Sequence, residues 1–337
     1  QELYSPTWVS KPLDCHTGMT TAFRFQQPKG EAISKFSEVP NSIDFMDLAV
    51  IGSKSNPLET LRIDNHEFSI KKEGNNVISV TASQDGDEID KMHFLVLDTV
   101  VSLDEEATQE MKTRRRATIR DEDKQVKTIP RTVRLLKELD AEIDEDGALQ
   151  KVKPKKMNSG KMFCLVSLGH DFPFNLGIDS DWLMNPRRTE LRPEHEAGVW
   201  HRQLLSTLPG LIKEYLEWLP DYLDQKERAT ALDIFPDDDW ESTTGLEFIN
   251  DNAFKEILHE ELSNCNFILC SDGNLRSPSE ACDIPKKPVS MESEAYKTLT
   301  RDCFTCPILN TKAIQQHTIK YLENIDDFLP FPKTSEV

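Results

Sequence analysis

Two adjacent arginines are the strongest candidates for a binding or catalytic role in this sequence. They lie in the stretch Asn185-Pro186-Arg187-Arg188-Thr189-Glu190-Leu191-Arg192. The stretch follows a strand-like segment and precedes a long apolar helix pattern. A guanidinium at such a junction can bind phosphate, because its fixed fork of N–H donors matches phosphate oxygens. The alternative is that both arginines are surface residues paired with nearby glutamates, an arrangement that contributes little to stability.

The cysteines offer a second possible site, because Cys303 and Cys306 form a C-x-x-C pair. Zinc normally takes four ligands, and Cys265, Cys270 and Cys282 lie upstream as possible additions. Their spacing fits neither a zinc ribbon nor a zinc finger. Structural thiols are therefore the favoured interpretation, since free cysteine commonly packs as a small apolar side chain, with zinc binding and redox chemistry as the alternatives.

Motifs of self-sufficient active sites are absent from the sequence. It contains no Walker loop, no glycine-rich dinucleotide motif, no H-E-x-x-H and no G-x-S-x-G. The eight histidines are scattered, and none stands at helical i, i+4 spacing with a carboxylate or with a second histidine. The histidines therefore give little support to a His-based metal site, and no metal ligand is assigned.

The length and net charge of the chain limit the number of domains it can form and the partners it can bind. The chain has 337 residues, a formal net charge of −19 and a hydrophobic fraction of 37%, which suits one large or two smaller ordered domains. An acidic surface repels phosphate, so nucleic acid and anionic membranes are poor partners. No apolar run approaches the length of a membrane span. Seven cysteines, an odd and small number, favour a reducing, cytoplasmic location. Because the sequence begins with Gln1, we interpret it as a fragment.

Hydrophobic periodicity predicts alternating strands and helices. Strands are predicted at 20–25, 58–63, 67–71, 76–82, 92–97 and 162–168, the 92–97 strand being covered on both faces, with a loop and strand at 172–178 and a short strand at 266–270. Helices are predicted at 43–51, capped by Asn41 or Ser42, at 129–143, at 200–219 with a break at Pro209-Gly210, at 222–234 and at 252–262. Blocks of alternating charge indicate that most of 104–161 is an exposed insertion.

Three separated stretches resemble the Hsp90-like repeats of sacsin and of the plant protein NO VEIN. Residues 20–28 (TTAFRFQQP) resemble the family's Gly-Thr-x-Phe-Arg-Phe-Pro-Leu strand, with Thr21 at the family threonine and Thr20 in place of its glycine. Residues 169–191 and the following helix resemble a strand, Ser-Arg-x-x-Leu and long-helix segment, in which Arg188 and Leu191 match the Arg and Leu. Residues 267–285 resemble a strand, Asp-Gly and Ser-Pro-x-Glu-Ala segment.

This resemblance implies an α/β fold with a mixed sheet of four to five strands and flanking helices, like the Hsp90 middle domain, plus a smaller, mainly helical C-terminal part. It implies three regions: residues 1–30 as the last strand of a truncated nucleotide-binding domain, 31–235 as the middle segment with its insertion, and 236–337 as the C-terminal part. The Asn-bearing helix, Asp-x-Gly turn and glycine-rich lid of the nucleotide site are missing from this sequence, so we do not expect the chain alone to bind ATP.

The functional expectation is a chaperone-type ATPase fragment that acts on protein clients or co-chaperones. The resemblance implies that Arg188, with Arg187 as second candidate, reaches the ATP γ-phosphate, and that Thr21 contributes to the cofactor site. ATP and magnesium would be held by an upstream domain, and no cofactor by this chain alone. The alternative is a non-catalytic protein-interaction module with the same fold.

Overall fold

The computed structural model describes residues 39–54, 57–63, 65–114, 128–144, 147–157, 159–185, 190–236, 245–270, 273–278, 280–281, 318 and 321. The chain divides into two compact units, Gln1–Ile43 and Asp44–Val337. The described part of the first unit is residues 39–43, which contain a short 3-10 helix over Val39–Ser42. Every element described below belongs to the second unit.

Five α-helices and eleven strands are described in the second unit. The helices are α1 (Phe45–Ser53), α2 (Glu105–Arg114), α3 (Glu194–Leu205), α4 (Leu208–Trp218) and α5 (Asn252–Leu262), with 3-10 helices at Leu219–Asp221, Gln225–Ile234 and Glu247–Asn250. The strands are β1 (Thr60–Ile63), β2 (His66–Lys72), β3 (Val77–Gln84), β4 (Asp87–Leu103), β5 (Ile129–Ile143), β6 (Leu149–Pro154), β7 (Gly160–Cys164), β8 (Val166–Phe172), β9 (Gly177–Asp179), β10 (Ile268–Leu269) and β11 (Leu275–Arg276).

Nine of these strands form one mixed sheet in the order β1-β2-β3-β4-β5-β9-β7-β8, with β6 also paired to β5. The long strands β4 and β5 pair antiparallel from His93 with Leu139 to Leu103 with Ile129. On its other edge β5 pairs with β9 at residues 134–136 and with β6 farther along. The β7–β9 pair is parallel, whereas its neighbours in the sheet are antiparallel. The expected α/β class with a mixed sheet and flanking helices is confirmed, although the sheet is larger than the four to five strands expected.

Helices cover both faces of the sheet. On one face, α1 brings Gly52 against Ile70 and places Phe45 edge-on to Phe68, with ring centroids 6.1 Å apart. On the other face, α3 and α4 pack against β4 and β5 and bury a large apolar core around Trp200. Residues 94–97 of β4 are buried on both faces, which confirms the prediction of a doubly covered strand.

Several helix predictions are confirmed with adjusted boundaries. The 43–51 helix is α1, but its N-cap is Asp44, whose carboxylate accepts from Met46 N at 2.9 Å, rather than Asn41 or Ser42. The 200–219 pattern is broken as predicted, and Pro209 lies in the first turn of α4, where its missing N–H costs nothing. The prediction at 252–262 coincides with α5, and the 222–234 pattern forms a 3-10 helix.

The predicted helix at 129–143 is wrong, because this segment is β5 near the middle of the sheet. Val133, Leu135 and Leu139 alternate toward one face as a strand requires, and Leu136 is buried as well. A strand covered on both faces loses its two-residue periodicity, so Leu135 and Leu136 together with Leu139 imitate the spacing of an amphipathic helix. The described parts of the predicted 104–161 insertion form α2, β5, β6 and the first two residues of β7.

The prediction of one buried strand over 162–168 is also wrong. The chain reverses at Leu165, and β7 and β8 pair as a hairpin with Cys164 opposite Val166. Leu165 has a φ of 74°, which is a left-handed backbone conformation. An apolar residue rarely adopts this conformation, so the sequence gives no indication of a turn here. Pattern analysis therefore extended one strand through what is in fact a tight turn.

Candidate functional site

The residues that the sequence singled out lie outside the described part of the chain. Arg187, Arg188 and Thr21 are in segments whose placement is not described, and so are Cys282, Cys303 and Cys306. Cys265 and Cys270 are buried, and burial raises the pKa of the Cys265 thiol to about 12. The structure does describe both flanks of the arginine pair, and these flanks define the candidate site.

The candidate site begins where the parallel strands β7 and β9 end at the same edge of the sheet. Asp179, the last residue of β9, is fully buried and accepts from Lys54 and from Arg134 Nη1, the latter at 3.1 Å. Its second oxygen accepts from Leu165 N at 3.3 Å. Two cations therefore meet one buried carboxylate here, which compensates the cost of burying its charge.

The chain continues from Asp179 toward the arginine pair along a path tied to β5 and to α3. Ser180 Oγ donates to Thr132 O at 3.0 Å, and Arg131 forms an ion pair with Asp181 at 2.9 Å. Trp200 of α3 donates its ring N–H to Asp181 O at 2.8 Å. These contacts fix residues 180 and 181, which directly follow β9, beside β5 and α3.

A short antiparallel pairing then forms the base of the arginine segment, which we define as residues 183–192. Met184 pairs with Leu191 as an isolated bridge. Asn185 N donates to Glu190 O, and Arg192 N donates to Leu183 O, both at 2.9 Å. Residues 186–189, which include both candidate arginines, connect the two sides of this bridge.

Side chains at the base of the arginine segment hold both of its sides. Leu183 N donates to Nε2 of His201, a residue of α3, at 3.2 Å, and Arg192 Nε donates to Met184 O at 2.9 Å. Arg192 also pairs with Glu196 at 3.0 Å. Burial lowers the pKa of His201 to about 4, so the imidazole is neutral at physiological pH and its Nε2 is available as an acceptor.

Helix α3 is itself anchored at a break near its start. Ala197 has non-helical angles of φ −149° and ψ 21°, so the helix restarts beyond it. The Glu110 carboxylate of α2 accepts from Trp200 N at 2.9 Å and from Val199 N at 3.3 Å. An acidic side chain thus caps the restarted helix, where a negative charge is favoured by the helix dipole.

Sequence analysis missed the residues that organise this site. Asp179, Lys54 and His201 carry no local motif, since their partners lie up to 125 residues away along the chain. The one signal present was the Asp that ends a short apolar strand, because carboxylates at strand ends often interact with a neighbouring element. Among the described residues, no three His, Cys, Asp or Glu side chains converge as a metal site would require.

Comparisons with protein-family models, with curated proteins and with solved structures found no match to this chain. Within the described residues, no helix is both long and apolar enough to cross a membrane.

Proposed function

We propose that this chain is the segment that follows the nucleotide-binding domain in an Hsp90-type ATPase of the sacsin and NO VEIN kind, acting in the cytoplasm on protein clients or co-chaperones. The observation that carries the proposal is the order of elements: a buried strand, β9, an anchored segment bearing two arginines, and the helix pair α3 and α4. The mixed sheet with helices on both faces supports the likeness to an Hsp90 middle domain.

In this proposal Arg188 supplies positive charge to a phosphoryl group held by the upstream domain. A guanidinium placed against a transferring phosphoryl group stabilises the charge that develops on it, and such arginine fingers accelerate hydrolysis by roughly 10³- to 10⁵-fold. ATP and magnesium supply the reacting phosphoryl group and its charge balance. The described residues contain no convergent acidic cluster to hold magnesium, so the role assigned to this chain is donation of the arginine alone.

The basic residues at this edge of the sheet are paired with carboxylates. Lys54 and Arg134 pair with Asp179, and Arg131 pairs with Asp181. In the proposal the positive charge offered to the phosphoryl group therefore comes from Arg188 itself. Thr21 and Arg187 keep their secondary roles in the proposal, as a contributor to the nucleotide site and as the alternative arginine.

The test uses the full-length protein and measures steady-state ATP hydrolysis. Arg188→Ala is expected to lower kcat by roughly 10³-fold, as loss of an arginine finger does, with a smaller loss for Arg187→Ala. Arg188→Lys is expected to recover only part of the rate, because lysine cannot bind phosphate through two parallel N–H groups. Unchanged turnover in Arg188→Ala, with unfolding temperature also unchanged, would show the assignment to be wrong.

A binding role without catalysis is the second candidate, and one observation favours it. Leu165 and Val166 are adjacent, apolar and 58% and 54% exposed, and Leu165 adopts its left-handed backbone conformation there. An exposed apolar pair on a strained turn suits a protein contact better than it suits folding alone. Two results together would favour this role. The full-length protein would not hydrolyse ATP, and the double variant Leu165→Ser with Val166→Ser would no longer bind a purified client or co-chaperone that the wild type binds.

A further inference from the structure

We propose that the outer edge of β8 is a strand-addition site, which binds an extended segment of a partner protein that alternates apolar and basic residues. This site deepens the binding role given above as the second candidate function, on which it rests, by naming the mode of contact and the chemistry of the partner. The residues that form it are all described.

β8 is the last strand at its end of the sheet, because the described strands pair it with β7 alone. Six of its seven residues are exposed or half-buried, and only Phe172 is buried. A strand at a sheet edge presents backbone N–H and C=O groups, to which an extended peptide can add as a further strand. Such an addition at β8 would need no change in the buried core.

One backbone group of this edge already has an acceptor from outside the sheet. Ser167 N donates to Oδ1 of Asp47, a residue of α1, at 2.6 Å, and the Ser167 hydroxyl lies 3.5 Å from Oδ2. This N–H is therefore directed away from β7, and the carboxylate stands in for the carbonyl of an added strand. Burial raises the pKa of Asp47, so keeping its charge here costs free energy that its release to solvent would recover.

Apolar side chains are exposed where β8 begins. Leu165, in the turn before β8, is 58% exposed, and Val166 is 54% exposed. The turn itself is anchored, since Leu165 N donates to the buried carboxylate of Asp179 at 3.3 Å. In strand addition the main chain gives affinity, and alternate side chains that find apolar contacts give specificity. Apolar residues on the added segment would therefore cover this exposed pair.

The charge beside β8 determines which partner fits. Asp47 accepts from a backbone N–H of β8, and Asp171 accepts from Ser159 Oγ at 2.9 Å, so both carboxylates contact donors that carry no charge. Asp44, by contrast, is paired with Lys161 of β7. Basic residues on an added strand would meet these two carboxylates, whereas a second copy of this acidic chain would bring like charges together. A basic partner segment is thus favoured over self-association.

The first measurement is the binding of a synthetic probe to the full-length protein, read by fluorescence anisotropy. The probe is a peptide of alternating lysine and valine with blocked ends, and it has the length of β8, seven residues. Wild type is expected to bind it, and to bind a probe methylated on every peptide nitrogen roughly tenfold more weakly, because the methyl groups remove the donors that pair with β8. Absence of binding, or equal binding of both probes, would overturn the proposal.

Ser167→Pro tests the edge of β8 directly. The substitution removes the outward N–H, and proline is tolerated in an edge strand at a position whose N–H faces away from the sheet. Probe affinity is expected to fall roughly tenfold at an unchanged melting temperature. Ser167→Ala is the matched control, because it keeps the N–H and should bind the probe as wild type does. Equal affinities of the two variants would contradict strand addition.

Asp47→Ala separates backbone pairing from charge, and it does not depend on how the chain tolerates proline. Loss of the competing carboxylate should tighten the binding of a neutral probe of alternating threonine and valine roughly fivefold. The preference for the lysine probe over this neutral probe, up to about fivefold in wild type, should decrease. Asp87→Ala changes an exposed carboxylate on β4, which is not adjacent to β8, and should alter neither value. Unchanged affinities in Asp47→Ala would count against the site.

Sedimentation of the free protein tests the other occupant. A dimer that Ser167→Pro dissociates would mean that a second copy occupies β8, and would overturn the assignment to a partner protein.

A purified client or co-chaperone then separates the site from the binding role on which it rests. Loss of this client in Ser167→Pro but not in Ser167→Ala supports the proposal. If the double variant Leu165→Ser with Val166→Ser loses the client but Ser167→Pro keeps it, the binding role stands and strand addition is overturned. If the probe binds as expected but the double variant keeps the client, the binding role is the part that fails.

Discussion

Lys137 is a fully buried charged side chain, and its burial makes the stability of the protein depend on pH. It lies on β5, is 0% exposed, and donates from Nζ to Asn175 O at 2.6 Å. Burial lowers the pKa of Lys137 to about 8, although the carboxylates of Asp233 and Glu138 favour its charged form. The ammonium group therefore costs free energy in the folded protein at neutral pH.

The sign and size of the pH effect follow from proton linkage. The folded pKa lies below the ordinary value of 10.5, so the unfolded chain binds more protons between these limits and stability rises with pH. The cost is fully present below pH 8 and is relieved as the pH approaches 10.5. Between pH 7.5 and 9.5 the relief amounts to about 2 kcal/mol in the free energy of unfolding.

The assay compares urea unfolding of the wild type and Lys137→Met across this pH range. Tyr215 and Cys265, whose burial raises their pKa values, also titrate differently in the two states, so only the difference between the two proteins isolates Lys137. We expect Lys137→Met to be about 2 kcal/mol less stable relative to wild type at pH 9.5 than at pH 7.5.

Two further variants sharpen the Lys137 experiment. Lys137→Gln keeps a donor for Asn175 O without the charge, and should lose the pH dependence with a smaller loss of stability than Lys137→Met. Lys153→Met removes a half-exposed lysine that pairs with Glu227 at 3.1 Å, and should follow the wild-type pH dependence. A wild-type curve parallel to that of Lys137→Met would refute the reasoning, because it would mean that Lys137 binds its proton equally in the folded and unfolded states and that burial does not lower its pKa.

Three other predictions follow from single residues. Because burial lowers the pKa of His201 to about 4, acidification from pH 7.5 to 5 should cost the wild type about 2 kcal/mol that His201→Gln does not lose in urea unfolding; equal losses would contradict it. Leu165→Ile should destabilise by about 1 kcal/mol, because a β-branched residue is disfavoured at φ 74°, whereas Leu165→Asn should not; thermal melts would test this. Gly160→Ala should destabilise by about 3 kcal/mol, because its Cβ would meet Phe174 O at 1.8 Å, whereas Gly169→Ala, with open space around it, should melt near wild type.

Local patterns predicted the outer parts of the sheet and the helices well. The strands β2 and β3 follow from alternation, and the turn at Asn75 and Asn76, with φ of 58° and 65°, uses the residue type that tolerates left-handed backbone. α5 was predicted to the residue because its apolar positions repeat at helical spacing between polar ends. In β2 and α5 one face is buried and the other is more exposed, so the periodicity remains readable.

The centre of the fold was not predictable in this way, and neither was the site. β5 is covered on both faces, and its partners β4 and β9 are joined to it by contacts between residues distant in sequence. Asp179 and Lys54 form an ion pair although they are 125 residues apart in the sequence, and no local sequence pattern can predict such a contact. The arginine pair was recognised from its neighbours in the chain. The hydrogen bonds that His201 and Arg192 make with residues 183 and 184 depend on how α3 packs.

The basic residues of β5 explain both the failed helix prediction and the placement of the site. Arg131, Arg134 and Lys137 recur every three residues, a spacing that is typical of a charged stripe on a helix. In the antiparallel pairing with β9 they instead meet successive points of the opposing chain: Lys137 donates to Asn175 O, Arg134 pairs with Asp179, and Arg131 pairs with Asp181. One strand therefore contacts the chain from Asn175, in the turn before β9, to Asp181. A substitution at any of the three residues is expected to change the structure around residues 183–185 as well as its own surroundings.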